Sequence, residues 1–438
     1  MNHTFAFSLI GAGVVLCSAL SIEAANWPSW RGPNQNGIAA ESNFPVKWGQ
    51  SENIRWRVDL PDRGNSSPIV WGGKVFVTQA VDKEQTRSVM CFDRTNGKLL
   101  WQTGFTYTLK DQTHQDNPYA AASPVTDGNV VIATFGPAGT AAFDLDGKQL
   151  WKKELGPQQH EWGYASSPFL WKGTCFVFQG PGPHSTLFAL DAATGAERWR
   201  STLKEPLPTE RTDGFKGNLP GRIGSFSTPL LINNAGRREL IMSLPENLIA
   251  LDPENGKLIW ECKGLNPLVY TSPAWGEDTL VTMGGFFGSS LGVKPAKGSG
   301  DITSKRSWHE VRAKKNRLGA PIIYKGHLYV MNMDGMAECR KLSTGEEVWL
   351  ERLKGPGAKA ESWSSFTLAG DLLYIANQSG DCFVIKASPT FQQVAVNSVG
   401  EYTNSTFAHS EGELFLRTWK GLWCISEVRK TAATVDPN

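Results

Sequence analysis

Apolar residues come in short runs along this chain, each bounded by a glycine turn; Val75-Phe76-Val77, Val130-Val131-Ile132, Leu373-Tyr374-Ile375 and Leu414-Phe415-Leu416 are typical. Runs this short, rich in β-branched and aromatic residues and without helical periodicity, predict β-strands. The runs fall into a repeating unit. Ser-Pro or Thr-Pro leads into a short apolar strand, and a Gly turn opens a Val-rich strand. A third strand ends small-apolar-Asp, and a turn of the Thr-Gly-Lys type leads to a last strand bearing Trp.

Landmarks locate the copies. Ser67-Pro68 runs through Gly72-Gly73 to Cys91-Phe92-Asp93, Gly97-Lys98 and Trp101, and Ser123-Pro124 runs to Phe143-Asp144, Gly147-Lys148 and Trp151. Ser167-Pro168 leads to Ala189-Leu190-Asp191, Thr194-Gly195 and Trp199, and Thr228-Pro229 to Ala250-Leu251-Asp252, Gly256-Lys257 and Trp260. Ser272-Pro273 reaches Leu291-Gly292-Val293 and, past an insertion, Trp308; Ala320-Pro321 reaches Cys339-Arg340-Lys341, Thr344-Gly345 and Trp349. Two copies lack the proline, opening at Ser364-Ser365-Phe366 and Ser405-Thr406-Phe407. The second of these stops at Trp423-Cys424-Ile425, before its last strand. The Trp landmarks recur at roughly 40–60 residues, a period that marks a repeat architecture.

One such sheet cannot bury both of its faces alone, whereas sheets set radially around an axis can, and their edges stay short. The predicted fold is all-β: an eight-bladed β-propeller of four-stranded antiparallel blades, with seven blades as the alternative if one proline-less copy is degenerate. Asn53-Ile54-Arg55-Trp56-Arg57-Val58-Asp59-Leu60 reads like a Trp-bearing last strand. The N-terminal segment is therefore expected to complete the last blade and close the ring. The Trp row is expected between neighbouring blades and the Asp row in the turns, which makes both rows structural rather than catalytic.

Composition adds detail. The 17 Trp and 45 Gly fit a recurrent aromatic packing position and many turns. A net charge of +2 gives no concentrated basic surface, so no nucleic-acid partner is expected; Lys305, Arg306, Arg312, Lys314, Lys315 and Arg317 read as a solvated loop. Residues 1–25 read as a secretory signal, apolar over 5–20 and ending in Ala24-Ala25. Leu16 before Cys17 speaks against lipid attachment, and no later segment is apolar enough to span a membrane. The expected organisation is a signal at 1–25, a leader at 26–52, the propeller at 53–428 and a tail at 429–438, in a soluble protein exported to the periplasm or cell envelope. Six cysteines remain in the mature chain: Cys91, Cys175, Cys262, Cys339, Cys382 and Cys424. No two are adjacent, and three occupy the slot of Ala189 and Ala250, so they read as small buried residues rather than a disulfide framework.

Residues just before each Ser-Pro landmark lead into the innermost strands and toward the axis. The candidates are Arg63, Asn65, Asn117, Tyr119, His160, Glu161, Trp162, Tyr164, Arg222, Ser225, Tyr270, Asn316, Arg317, Glu361, Trp363, Tyr402 and Asn404. A mouth ringed by Arg, Tyr and Trp suits a planar anion, a sugar or an aromatic peptide anchor. Glu161, Glu361 and Asn316 offer oxygens for a hard cation. His160-Glu161 lacks a second His at helical spacing, and His114, His184, His309, His327 and His409 form no cluster in sequence, so no metal is expected. Insertions at 105–117, 204–222 and 284–317 are candidate recognition loops.

An Ala-x-Asp strand followed by Thr-Gly-x-x-x-Trp, as in Ala189-Leu190-Asp191, Thr194-Gly195 and Trp199, resembles the repeat of pyrroloquinoline-quinone-like (PQQ-like) β-propellers. The resemblance covers about 53–428, and Trp27-Pro28-Ser29-Trp30-Arg31-Gly32-Pro33-Asn34 with Asn36-Gly37 looks like the leader before such exported domains. The family's quinoprotein dehydrogenases clamp the quinone under an adjacent Cys-Cys disulfide and place Glu, Asn and Asp around calcium. This chain has no adjacent Cys pair and no matching acidic set. The family also includes the cofactor-free lipoprotein propeller of the outer-membrane barrel assembly machinery, which implies a scaffold for envelope proteins. The expectation is a non-enzymatic binding or scaffold protein without a cofactor, partnered by cell-envelope proteins or peptides. A PQQ-dependent oxidoreductase with calcium and a reduced site, and a carbohydrate-binding propeller, stand as alternatives.

Overall fold

A computed structural model describes residues 25–158, 160–182, 184–203, 223–313 and 315–427. Residues 1–24 of the expected signal at 1–25, the insertion at 204–222 with Arg222, Lys314 of the basic run and the tail lie outside the described residues.

The strand-turn unit folds eight times into a four-stranded antiparallel blade. Blade 1 contains Ile69–Trp71, Lys74–Val81, Thr86–Asp93 and Leu99–Thr106, from the axis outward. Blade 2 runs from Val125–Thr126 to Gln149–Lys153, blade 3 from Phe169–Trp171 to Glu197–Thr202, and blade 4 from Leu230–Asn234 to Leu258–Lys263. Blade 5 runs from Ala274–Gly276 to Arg306–Glu310, blade 6 from Ile322–Tyr324 to Glu347–Arg352, and blade 7 from Thr367–Ala369 to Gln393–Ser398. Blade 8 takes Ala408–Ser410, Glu413–Arg417 and Gly421–Ile425 from the end of the chain and its outermost strand, Ile54–Asp59, from the beginning. Trp56 stands opposite Cys424 in that pairing. Both proline-less copies form full sheets, so the count is eight rather than seven.

Each outer-strand Trp faces a small residue on the third strand. Trp101 faces Cys91, Trp199 faces Ala189, Trp308 faces Gly292 and Trp349 faces Cys339. A larger residue there would fill the place of the indole. The indole then reaches the next blade. Trp56 Nε1 donates to the Arg94 carbonyl at 2.7 Å, Trp101 to Leu145 at 3.0 Å, Trp151 to Ala192 at 2.9 Å and Trp349 to Ser388 at 2.9 Å. The turn it meets carries Gly97 in blade 1, at φ 73, and a Cβ there would lie 2.8 Å from the Trp56 ring. Gly97 is thus required twice, by a left-handed backbone and by the ring lying over it. Asp93 holds the same turn, its Oδ1 accepting the amides of Thr95 at 2.8 Å and Asn96 at 3.2 Å. The six cysteines among the described residues are buried and free. Burial pushes the Cys91 thiol up to about 12.

Blade 4 departs from the pattern. The insertion after blade 5's third strand returns Gly300–Asp301 to pair in parallel with Leu258–Lys263, and Trp260 donates inside its own blade, to Glu239 Oε2 at 2.8 Å.

The Ser-Pro landmark has a physical purpose of its own. The Ser67 amide donates to Ser123 Oγ at 2.8 Å, Ser123 to Ser167 at 3.0 Å, Ser167 to Thr228 at 3.0 Å and Thr228 to Ser272 at 2.8 Å. Ala320 donates to Ser365 at 2.9 Å, Ser365 to Thr406 at 3.1 Å, and Thr406 back to Ser67 at 2.9 Å. These bonds encircle the axis, blade to blade, with one break where Ala320 offers no hydroxyl to Ser272. Ala320→Ser is expected to add about 0.5–1.5 kcal/mol to the unfolding free energy, seen as a higher urea midpoint. An unchanged midpoint would mean that the missing link costs nothing.

The leader crosses one face of the ring. Trp27 bridges to Val70 of blade 1, Pro28 accepts the Thr126 amide of blade 2 at 2.9 Å, and Arg31 donates to the Ala320 and Pro321 carbonyls at the start of blade 6 at 3.2 and 2.8 Å. Gln35 then bonds to Pro229 and Leu231 of blade 4, and Ile38–Ala39 pairs in parallel with the inner strand of blade 7. Blades 2 and 6 are opposite in an eightfold ring, so the stretch from Pro28 to Arg31 passes over the axis and carries Trp30 with it.

Candidate functional site: an axial well

The crossing leader turns the central channel into a well. Its cavity is about 230 Å³. Trp30 closes one end, next to the seven ring hydroxyls of Ser67, Ser123, Ser167, Thr228, Ser272, Ser365 and Thr406. Trp162, Phe226, Tyr270, Phe286, Leu318, Met333 and Trp363 also line the well, with Asn65, His114, Asn117 and Asn404. Among the described lining residues there is no Asp, Glu, Lys or Arg.

Aromatic side chains meet on two sides. Trp162 and Tyr270 have ring centroids 5.9 Å apart, Phe226 and Tyr270 5.8 Å, and His160 packs behind them at 5.2 Å from Phe226. Across the well, Trp363 carries His114 at 5.6 Å. The indole nitrogen of Trp363 is buried without a hydrogen-bond partner.

The insertion after blade 1 narrows the mouth. Its Asp116 carbonyl accepts Asn65 Nδ2 at 2.7 Å and Asn404 Nδ2 at 3.3 Å, and its carboxylate accepts the Tyr402 hydroxyl at 3.0 Å. Asn117 Nδ2 donates to the carbonyls of Trp162 at 2.8 Å and Tyr164 at 3.0 Å. One loop is thereby tied to segments entering blades 1, 3 and 8, while His114 touches the segment entering blade 7. Burial, then the neighbouring Asp116, pushes the Tyr402 phenol up, so Tyr402 remains a neutral donor.

The candidates read from the sequence separate into groups. Asn65, Asn117, Trp162, Tyr270, Trp363 and Asn404 line the well. Arg63, Tyr119 and Glu161 line a separate polar pocket on the rim with Asp82, Lys110 and Asp111. There Arg63 lies over Trp419 at 5.4 Å, and Arg87 lies over Tyr119 at 4.3 Å. Glu361 is exposed, and Asn316 Oδ1 is taken by the Phe287 amide at 3.0 Å. Ser225 is buried in a short parallel pairing of Gly224–Ser225 with Leu268–Val269. Arg222 lies outside the described residues. Arg317 does not face the well. It is fully buried, and its Nη2 donates to both carboxylate oxygens of Glu338, at 3.0 and 3.1 Å. A charge at that depth is held by a carboxylate on the adjoining strand rather than by a channel ligand. The reading by position missed Trp30, His114 and the ring hydroxyls.

The profile of the family described as outer membrane protein assembly factor BamB matches residues 46–182, 137–307 and 183–431. Among solved structures, BamB from Moraxella catarrhalis is similar at TM-score 0.55 and 15% identity, over 84% of this chain and 96% of its own. Quinohemoprotein alcohol dehydrogenase ADHIIG from Pseudomonas putida HK5 is similar at TM-score 0.63 and 11% identity, over 94% of this chain and 82% of its own. The computationally designed Ika8 protein reaches TM-score 0.56 at 9% identity, over 88% of this chain and 99% of its own. Identities this low establish a shared fold. No curated protein matches the chain.

Proposed function

From the premise that this chain belongs to the family described as outer membrane protein assembly factor BamB, we propose that it is a non-enzymatic binding protein of the cell envelope, with its axial well and rim loops as the binding surface. The observation that carries this reading is the lining of the well: aromatic walls, amides and hydroxyls, with no charged side chain among the described lining residues. Such a surface suits a neutral or aromatic group.

The quinone alternative meets a mismatch of chemistry. A tricarboxylate cofactor with calcium calls for fixed cations and hard carboxylate ligands. None of Glu161, Asn316 and Glu361 lines the well, and no Arg or Lys among the described residues does. The cavity is also smaller than the roughly 300–1,000 Å³ that holds drug-sized ligands.

Two measurements test the reading. Calorimetry with pyrroloquinoline quinone and calcium is expected to give no saturable heat. Immobilised protein is expected to retain envelope proteins, and a Trp162→Ala/Trp363→Ala variant with an unchanged melting profile to retain at least tenfold less. One-to-one quinone binding that supports dye reduction would sink the proposal.

A further inference from the structure

We infer that the well takes an uncharged six-membered ring with hydroxyl groups around its edge, a pyranose or cyclitol; the inference rests on the binding reading above and names the ligand. The seven ring hydroxyls are each more than nine-tenths buried, yet all of them line the cavity. Each accepts a backbone amide from the neighbouring blade. A hydroxyl that accepts one bond still has its own proton to give. Among the described residues, no protein acceptor takes those protons. The base of the well is therefore a circle of unused donors.

The direction of the amide bonds decides what fits. Every hydroxyl oxygen is tied sideways to the next blade, so the oxygens lie around the circumference and do not converge on the axis. A single ion at the centre would reach few of them. A ring with oxygens on its edge reaches several at once, and its hydroxyls can both accept and donate. The faces of the same ligand are apolar C–H surfaces, which pack on indole and phenol rings. Trp30 offers such a surface below, and Trp162, Tyr270 and Trp363 offer others at the sides. With no Asp, Glu, Lys or Arg in the described lining, a charged ligand finds no ion-pair partner there.

The sugar could be free or could end a glycan, and the probes separate the two. Calorimetry on the full chain would use N-acetylglucosamine, methyl glucoside and myo-inositol as single rings, chitobiose and cellobiose as glycan ends, and cyclohexanol as a ring without the edge oxygens. At least one polyol is expected to bind one-to-one, with cyclohexanol at least tenfold weaker. Single rings binding as tightly as disaccharides mark a free sugar, and disaccharides binding tighter mark a glycan end. Trp30→Leu, and separately Ser123→Ala with Ser167→Ala, should each weaken binding about tenfold with the melting profile kept, the loss expected for about one hydrogen bond or stacked face. No saturable polyol binding, equal binding of cyclohexanol, or binding indifferent to these variants would overturn the inference. If sugars fail while Trp162→Ala/Trp363→Ala still releases envelope proteins, the inference falls and the binding reading stands.

Discussion

Trp56→Ala is expected to lower the unfolding free energy by about 3–5 kcal/mol, the largest loss among the outer-strand Trp positions. Trp56 is buried against Phe415 and sits on the strand pairing that closes the ring between the first and last parts of the chain. Its loss leaves a cavity between blades 8 and 1 and an unpaired carbonyl on Arg94, which Trp56 Nε1 otherwise satisfies. Around it the seam packs Val75, Met90 and Phe92 of blade 1 against Phe415, Leu422 and Cys424 of blade 8, and polar bonds flank this packing. Arg94 Nε donates to Glu413 Oε2 at 2.6 Å, and the Thr406 amide donates to Ser67 Oγ at 2.9 Å. Trp151→Ala removes an equivalent ring inside a covalently continuous part of the propeller, so it should cost less and expose fewer amides to exchange. Urea denaturation with hydrogen exchange on both variants checks this. Equal losses and identical exchange maps would show that the seam is no weaker than any other blade junction.

Glu338→Ala is expected to cost about 3–5 kcal/mol. Glu338 and Arg317 are both fully buried, and Arg340 Nη1 adds a bond to Glu338 at 3.0 Å. Removing the carboxylate strands a guanidinium where water cannot reach it. Replacing both partners by apolar residues, Arg317→Met with Glu338→Leu, should recover most of the loss, because the pair offsets its own desolvation and adds little more. The pair also sets an acid limit. Burial pushes the Glu338 carboxyl up, but Arg317, Lys315 and Arg340 outweigh it and hold the group below the ordinary carboxylate range. Glu310 is held low in the same way, burial being outweighed by Arg340 and Arg317. A depressed folded pKa contributes stability that is complete above the unfolded value of about 4.3 and disappears as pH falls through the folded value. Urea midpoints measured from about pH 6 down to pH 2 should therefore fall more steeply for the wild type than for the double apolar variant. Parallel curves would show that the pair contributes no pH dependence.

The fold was legible because its determinants are local and repeated. Gly97 and Asp93 shape one turn, Cys91 makes room for Trp101 across one hairpin, and each device recurs with its spacing. The strand Ile54–Asp59 could be placed because it carries the same Trp signature as the strand it replaces. The site was harder to read because its parts come together only through closure. Ser67, Ser123 and Ser167 were visible as landmarks, but their bonds run to the neighbouring blade, and no local pattern states that register. Trp30 belongs to a leader whose path across the axis depends on carbonyls of blades far away in sequence. Arg317 precedes a proline landmark, as Asn65 precedes another, yet Glu338 on the neighbouring strand draws it away from the well. His114 sits in an insertion without periodicity, and only the bonds of Asp116 and Asn117 to other blades bring it to the mouth.

A ring sealed by its own first strand also imposes a timetable. A chain delivered from its N-terminus presents Ile54–Asp59 early, whereas its partner Gly421–Ile425 arrives only after every blade between them. Throughout that interval the early strand has an unsatisfied edge, open to pairing with whatever strand comes near. Completion of the circle is thus the last event of assembly, and a chain halted short of its eighth blade should be prone to aggregate through that waiting edge.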